Sequence, residues 1–256
     1  MLLRASTLAA LALVACGGGS GAAVDGPPAS PDAAPDALAP DASTAPVRLA
    51  DVVVAAPGGG DPSKAVDGVQ GGGSDAGGTD VYSLGYTPDV NDSITLAWSH
   101  GALANGSGDD FAVFENAFDE AGGAVFMDLI VVEVSRDGQT WRALDHAYTS
   151  PNENVYTADP SYWSGFAGRT PVLLNAQTNP VDPFDRAAAG GDGFDLDHVS
   201  GSDAEAVAIR ADGVRFIRLV SAPARINPDT GALYVRDSLS NGADIDGVFG
   251  RYVVAR

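Results

Sequence analysis

Cysteine, lysine and methionine are nearly missing from this chain: 256 residues hold one Cys, one Lys (Lys64) and two Met. A single Cys excludes an internal disulfide framework. Basic residues are also scarce, 14 against 34 acidic ones, for a formal charge of −20 and a pI near 4.1. That balance argues against nucleic-acid partners, because a surface that repels phosphate cannot gain the counterion release that dominates such binding. No apolar run approaches the ~20 residues of a membrane-spanning helix. No window of helical length keeps an apolar period of 3.6, so extensive helix is not expected. Neither a Gly-x-Ser-x-Gly nucleophile elbow nor a phosphate-cradling glycine motif ahead of a helix is present. The three histidines, His100, His146 and His198, are scattered.

What is present begins with an address. Residues 1–16 carry Arg4, then an apolar run over residues 8–15, the pattern of a signal peptide. Leu13-Val14-Ala15-Cys16 has the form of a bacterial lipobox, and the only Cys of the chain stands in it. A diacylglyceryl group on Cys16 would anchor the mature protein to a membrane without spanning it. Gly17 after the Cys, in place of Asp, is compatible with export to the outer membrane. Residues 17–46 contain 6 Pro, 5 Gly, 9 Ala, 4 Asp and no aromatic. Such a tract cannot bury enough surface to offset its ordering entropy and reads as a disordered, extended linker.

Residues 47–256 read as one all-β domain, a single jelly-roll-type β-sandwich. Short segments rich in Val, Ile, Phe and Tyr, at 47–56, 81–84, 93–98, 111–115, 129–135, 140–144, 172–174, 206–209, 216–221 and 248–254, alternate with Gly, Asp, Asn and Pro clusters. A short helix fits only near residues 182–189. Asp137-Gly138 supplies the positive-φ residues of a hairpin between Val132-Glu133-Val134-Ser135 and a strand from Thr140, and Asp212-Gly213 reads as a second such turn. Trp141 and Phe216 are expected in the core.

These segments resemble known families. Residues 132–141 (VEVSRDGQTW) and 214–220 (VRFIRLV) are similar to the strand pairs of discoidin-like, galactose-binding-type jelly rolls. Five motifs in order resemble a family of bacterial cell surface proteins and lipoproteins of unassigned activity. They are Ser83-Leu84-Gly85, the segment from Gly108 to Asn116 (GDDFAVFEN), the hairpin, the segment from Gly190 to Leu196 (GGDGFDL), and Asp244-Ile245-Asp246-Gly247-Val248. The resemblance implies an envelope location and a sandwich fold, and no specific chemistry.

Two constellations could carry function. The first is acidic: Asp192 in the 190–196 segment, Asp195 with Asp197, Asp244 with Asp246, and a patch of Asp109, Asp110, Glu115 and Asn116. On strands, residues two apart project from one face. Carboxylates gathered without a counter-charge repel, and a cation relieves them. Oxygen ligands in Asp/Asn/Gly loops suit Ca²⁺, although no EF-hand loop is present. Asp110, Glu115, Asn116, Asp192, Asp195, Asp244 and Asp246 are the candidate ligands. Solvated turn acids are the plain alternative, and a carboxylate pair for glycoside hydrolysis a third. The second constellation is aromatic: Tyr148, Tyr156, Tyr162, Trp163 and Phe166 lie in a polar stretch. Such rings stack on sugars or other planar ligands, or pack a long loop from within. Tyr156, Tyr162, Trp163 and Phe166 are the candidate ligand contacts. The sequence thus points to a lipid-anchored surface module that binds a glycan or small molecule. A glycoside hydrolase and a purely structural envelope protein are the rivals.

Overall fold

The computed structural model describes residues 46–57, 60–87 and 92–255. The signal segment, Cys16 and the linker to residue 45 lie outside them. Strands β1 (Arg48–Leu49), β2 (Val52–Ala55), β3 (Tyr82–Ser83), β4 (Ser93–Ala97), β5 (Ala102–Leu103) and β6 (Phe111–Glu115) come first. β7 (Phe118–Asp119), β8 (Val125–Phe126), β9 (Ile130–Ser135), β10 (Arg142–Ala143), β11 (Ala147–Tyr148) and β12 (Trp163–Ser164) follow. Helix α1 (Arg186–Ala189), β13 (Asp192–Phe194), α2 (Ala204–Asp212), β14 (Phe216–Ser221), β15 (Asp244–Gly250) and β16 (Val253–Val254) complete the order.

The strands form an all-β sandwich. One antiparallel sheet runs β1-β15-β6-β13, with β3 also on β15, and the other runs β10-β9-β14-β4-β2. Alternation explains why they face each other. In β14, Ile217 and Leu219 enter the shared core with Ile94, Leu96, Val132 and Val134, opposite Phe111, Val113, Ile245 and Val248 of the first sheet. Arg218, between them, turns outward to pair with Glu133.

β6 reads FAVFE without alternation, and all five residues are buried. The reason is a second layer: Ala112 and Phe114, on its outer face, pack under Val172, Leu174, Phe184 and Ala189. The stretch at 172–174 therefore serves as a cover rather than a named strand: Val172 bridges Gly190, the Leu173 and Leu174 amides donate to the Ala189 carbonyl, and the Gly71 and Gly73 amides donate to the Leu174 and Val172 carbonyls.

The Asp-Gly hairpin forms as expected between β9 and β10, with Gly138 at φ 75°. The Asp137 carboxylate accepts hydrogen bonds from the Gln139 and Thr140 amides at 2.8 and 2.7 Å, so the turn is wider than two residues. Three expectations need correction. Residues 206–209 are not a strand but lie within α2, capped by the Asp203 side chain on the Glu205 and Ala206 amides. Asp212-Gly213 accordingly ends a helix, with Gly213 at φ 78°. Trp141 and Phe216 are half-buried on the outer face, and Arg218 lies 4.0 Å over the Trp141 ring.

Candidate functional site: a cleft at the free edge of β13

The aromatic stretch forms a core of its own. Trp163 is fully buried, stacked on Tyr148 with ring centres 3.6 Å apart, and its Nε1 donates to the Thr157 carbonyl at 3.0 Å. Phe166, also fully buried, meets Trp163 and Tyr234 edge-on at 5.4 and 5.2 Å. Tyr156 packs against this cluster and donates to the Met127 carbonyl, and Tyr162 is half-buried beside it. Trp163 is thus not a ligand contact: its faces are occupied and its polar edge is satisfied. Phe166 contributes only to the floor of the cleft described below.

The acidic residues separate rather than gather. Asp110 and Glu115 stand at opposite ends of β6, roughly 16 Å apart by strand rise. Asp110, fully buried, accepts from the Gly106 and Leu196 amides, both at 2.7 Å, and burial pushes its pKa to about 7. Asp195 and Asp197 do not share a strand. Asp195 caps the 3-10 turn Leu196–His198 by accepting from the Asp197 amide, and Asp197 is exposed. Asp244 and Asp246 do lie on β15, but the register shifts at Asp246 and the two carboxylates take different partners. Asp244 accepts from Ser83 and Asn116, while both oxygens of Asp246 accept from the Gln70 amide at 2.9 and 3.0 Å. Burial raises Asp246 to about 7 as well. Asp192 is held by the Arg169 amide at 2.9 Å, the Thr170 hydroxyl at 2.9 Å and the Arg169 guanidinium at 3.3 Å.

Glu115 differs from the rest. One carboxyl oxygen accepts from the Asp244 amide at 3.1 Å, and the other, Oε2, is buried without a partner. Burial, and then the charge of Asp128, raises its pKa well above the ordinary value. Asp128, which the sequence reading did not select, is buried nearby; it accepts from the Tyr86 and Ser240 hydroxyls, and burial raises it to about 6. Among the described residues, no group of three or more His, Cys, Asp or Glu side chains is placed to hold a metal ion.

The most site-like feature is a cleft of about 390 Å³ at β13, the edge strand of its sheet. Leu144, Phe166 and Phe194 give it an apolar lining; Asp109, Asp145, Asp195 and His198 supply polar groups around it. Arg169 faces it too, but its Nε donates to the Phe166 carbonyl at 3.0 Å and its guanidinium to Asp192, which fixes it in the wall. Two glycines keep the walls close. A Cβ on Gly193 would meet Asp109 Oδ2 at 1.9 Å, and one on Gly165, at φ +73°, would meet the Asp145 carbonyl at 2.0 Å. A second cavity of about 440 Å³ shares Asp145 and Ser164 with the first and continues past His146 and Ser200 to Pro228. At the junction the Ser200 hydroxyl donates to Asp145 at 2.6 Å, and the Asp145 amide donates to the His198 carbonyl at 2.8 Å. His146 Nδ1 lies 2.7 Å from the Leu144 carbonyl, which can only accept, so this nitrogen carries the proton.

Of the candidate residues, Asp195 and Phe166 line this cleft; Asp110 lies buried behind Asp195, bonded to the amide of Leu196. Leu144, Asp145 and Arg169 carry no sequence signal for the cleft, because they lie far along the chain from Asp109 and from residues 193–198, other groups that line it. The apposed glycines were the one local signal. Comparison with protein-family models, curated proteins and solved structures gives no match for this chain.

Proposed function

We propose that the protein is a surface binding module, lipid-anchored in the bacterial envelope through Cys16 and outward-facing on the outer membrane, whose cleft at β13 takes a hydroxyl-rich ligand such as a carbohydrate. The observation that carries this reading is the cleft itself: an apolar floor flanked by carboxylates, within the 300–1,000 Å³ range of small-molecule sites. Carboxylates accept hydrogen bonds from hydroxyls, and ring faces rest on apolar side chains. The bacterial surface-protein resemblance, the lipobox and the Pro-rich tract support the anchor.

Binding is favoured over glycoside hydrolysis for a specific reason. A hydrolase needs a raised acid and an ionised partner facing one bond. The buried carboxyls with raised values, Asp110, Glu115, Asp128, Asp192 and Asp246, sit in the wall or elsewhere, and neither they nor the exposed Asp67, also raised, line the cleft. A structural Ca²⁺ also belongs to the reading. Its support is Glu115 Oε2, buried and unpartnered beside Asp128 and Asp244, and backbone carbonyls would have to complete the shell.

The test is a glycan array probed with the full chain and with Asp145→Asn. Binding that drops about 2- to 5-fold in the variant, with an unchanged melt, is expected; binding that the variant retains in full places the ligand elsewhere. Cys16→Ser should release the protein from membranes on fractionation. A melt that does not move between calcium and chelator would remove the ion from the reading.

A further inference from the structure

The cleft has a charge that a neutral sugar does not need. Three carboxylates, Asp109, Asp145 and Asp195, stand around it; Arg169, the cation in its lining, is spent on Asp192 and the Phe166 carbonyl, and Arg186, outside the lining, offsets part of the charge of Asp109 but not that of Asp145 or Asp195. The molecule around it carries a formal −20. Such a cleft repels uronates, sulfates and phosphates and concentrates cations. Its shape adds a second constraint. The two cavities, about 390 and 440 Å³, meet at Asp145, which Ser200 fixes from the side. A single ring would occupy only part of one cavity and leave the other to water.

We infer that the ligand is an oligosaccharide bearing amino groups, several rings long, which crosses Asp145 and occupies both cavities. The inference rests on the binding function proposed above. Ammonium groups on successive rings would meet Asp109 and Asp195 in the first cavity and Asp145 at the junction, while the rings touch the small exposed part of Phe194. Each partly exposed pair contributes modestly, about 2- to 5-fold in affinity. Several pairs on one chain therefore decide the class of ligand, and length decides how many are made.

The experiment is titration calorimetry on the full chain in detergent micelles with four probes: glucosamine, its β-1,4 tetramer, the fully N-acetylated tetramer and a uronic acid tetramer. The amino tetramer should bind at least tenfold more tightly than either the monomer or the acetylated tetramer, weaken as salt rises to 0.5 M, and outcompete the uronate, which should not bind. Asp109→Asn and Asp145→Asn should each weaken it about 2- to 5-fold. Asp119→Asn, an exposed acid elsewhere, should leave it unchanged; Asp195 is avoided because it caps a turn. Equal affinity for the acetylated tetramer overturns the charge requirement, and equal affinity for the monomer overturns the length. An equal loss from Asp119→Asn, or none from either cleft variant, overturns the location. Binding of none of the four by a chain with a normal melt overturns the binding function as well.

Discussion

Glu115 and Trp163 were both selected from sequence for the company they keep, and both prove to be interior groups. For Trp163 the consequence is energetic. A fully buried, stacked indole removed from a packed cluster costs on the order of 3–5 kcal/mol, so Trp163→Ala should lower the denaturation free energy by about that much. Any loss of ligand binding in that variant should track the unfolded fraction, which equilibrium urea melts read directly. For the buried acids the consequence is pH dependence. Asp110, Asp128 and Asp246 have folded-state values of about 7, 6 and 7 against an ordinary 3.8, because burial disfavours their charged forms. Their contribution is present in full below about pH 4 and is lost as pH rises through 6 and 7. The melting temperature, other things equal, should therefore fall between pH 5 and pH 8. A flat or rising profile would mean that these groups are neutralised by something else in the folded state, and added calcium would identify a cation as the cause.

At the scale of elements, the legible parts were those specified locally. β6 and β14 have the bounds the sequence gives them, and the β9–β10 hairpin follows from one Asp-Gly pair, because turn chemistry and alternation are written within a few residues. The α2 segment looks like a strand for the same reason. Ala206, Val207, Ala208 and Ile209 look like a strand, but Asp203 before them and Gly213 after them are a cap at each end, and a positive-φ glycine serves a helix terminus as well as a hairpin. Asp203→Ala should cost about 1 kcal/mol through the lost cap, with little added from the exposed Arg142 pair. Loss of far-UV helical signal without loss of the sheet signal would identify the affected element. Gly193→Ala tests the cleft rather than the fold: the new methyl meets Asp109, and binding should weaken more than the melt shifts.

At the scale of the whole molecule, the sandwich was legible from composition and punctuation, but the site was not. Its polar groups come from positions 109, 145, 169, 195 and 198, and only the closed fold brings these segments to one edge. Periodicity reports which face of a strand is buried; it carries no information on which loops meet. Net charge, in contrast, is a global property that needs no fold. With 34 acidic and 14 basic residues, self-repulsion opposes compaction, so raising ionic strength from 0.01 to 0.15 M should raise the melting temperature by a few degrees. A decrease instead would mean that local ion pairs such as Arg218 with Glu133 outweigh the global term.

The edges of the two sheets have a further consequence. β1 and β10 are two residues long, β13 three and β2 four, and β2 breaks register within its own length. A strand this short offers a neighbouring copy too few backbone groups to pair with. Copies crowded side by side, at concentrations that drive open sheets to zip into fibrils, would find no long strand edge among the described residues to pair with. Such a molecule can be packed densely and still remain a population of separate units.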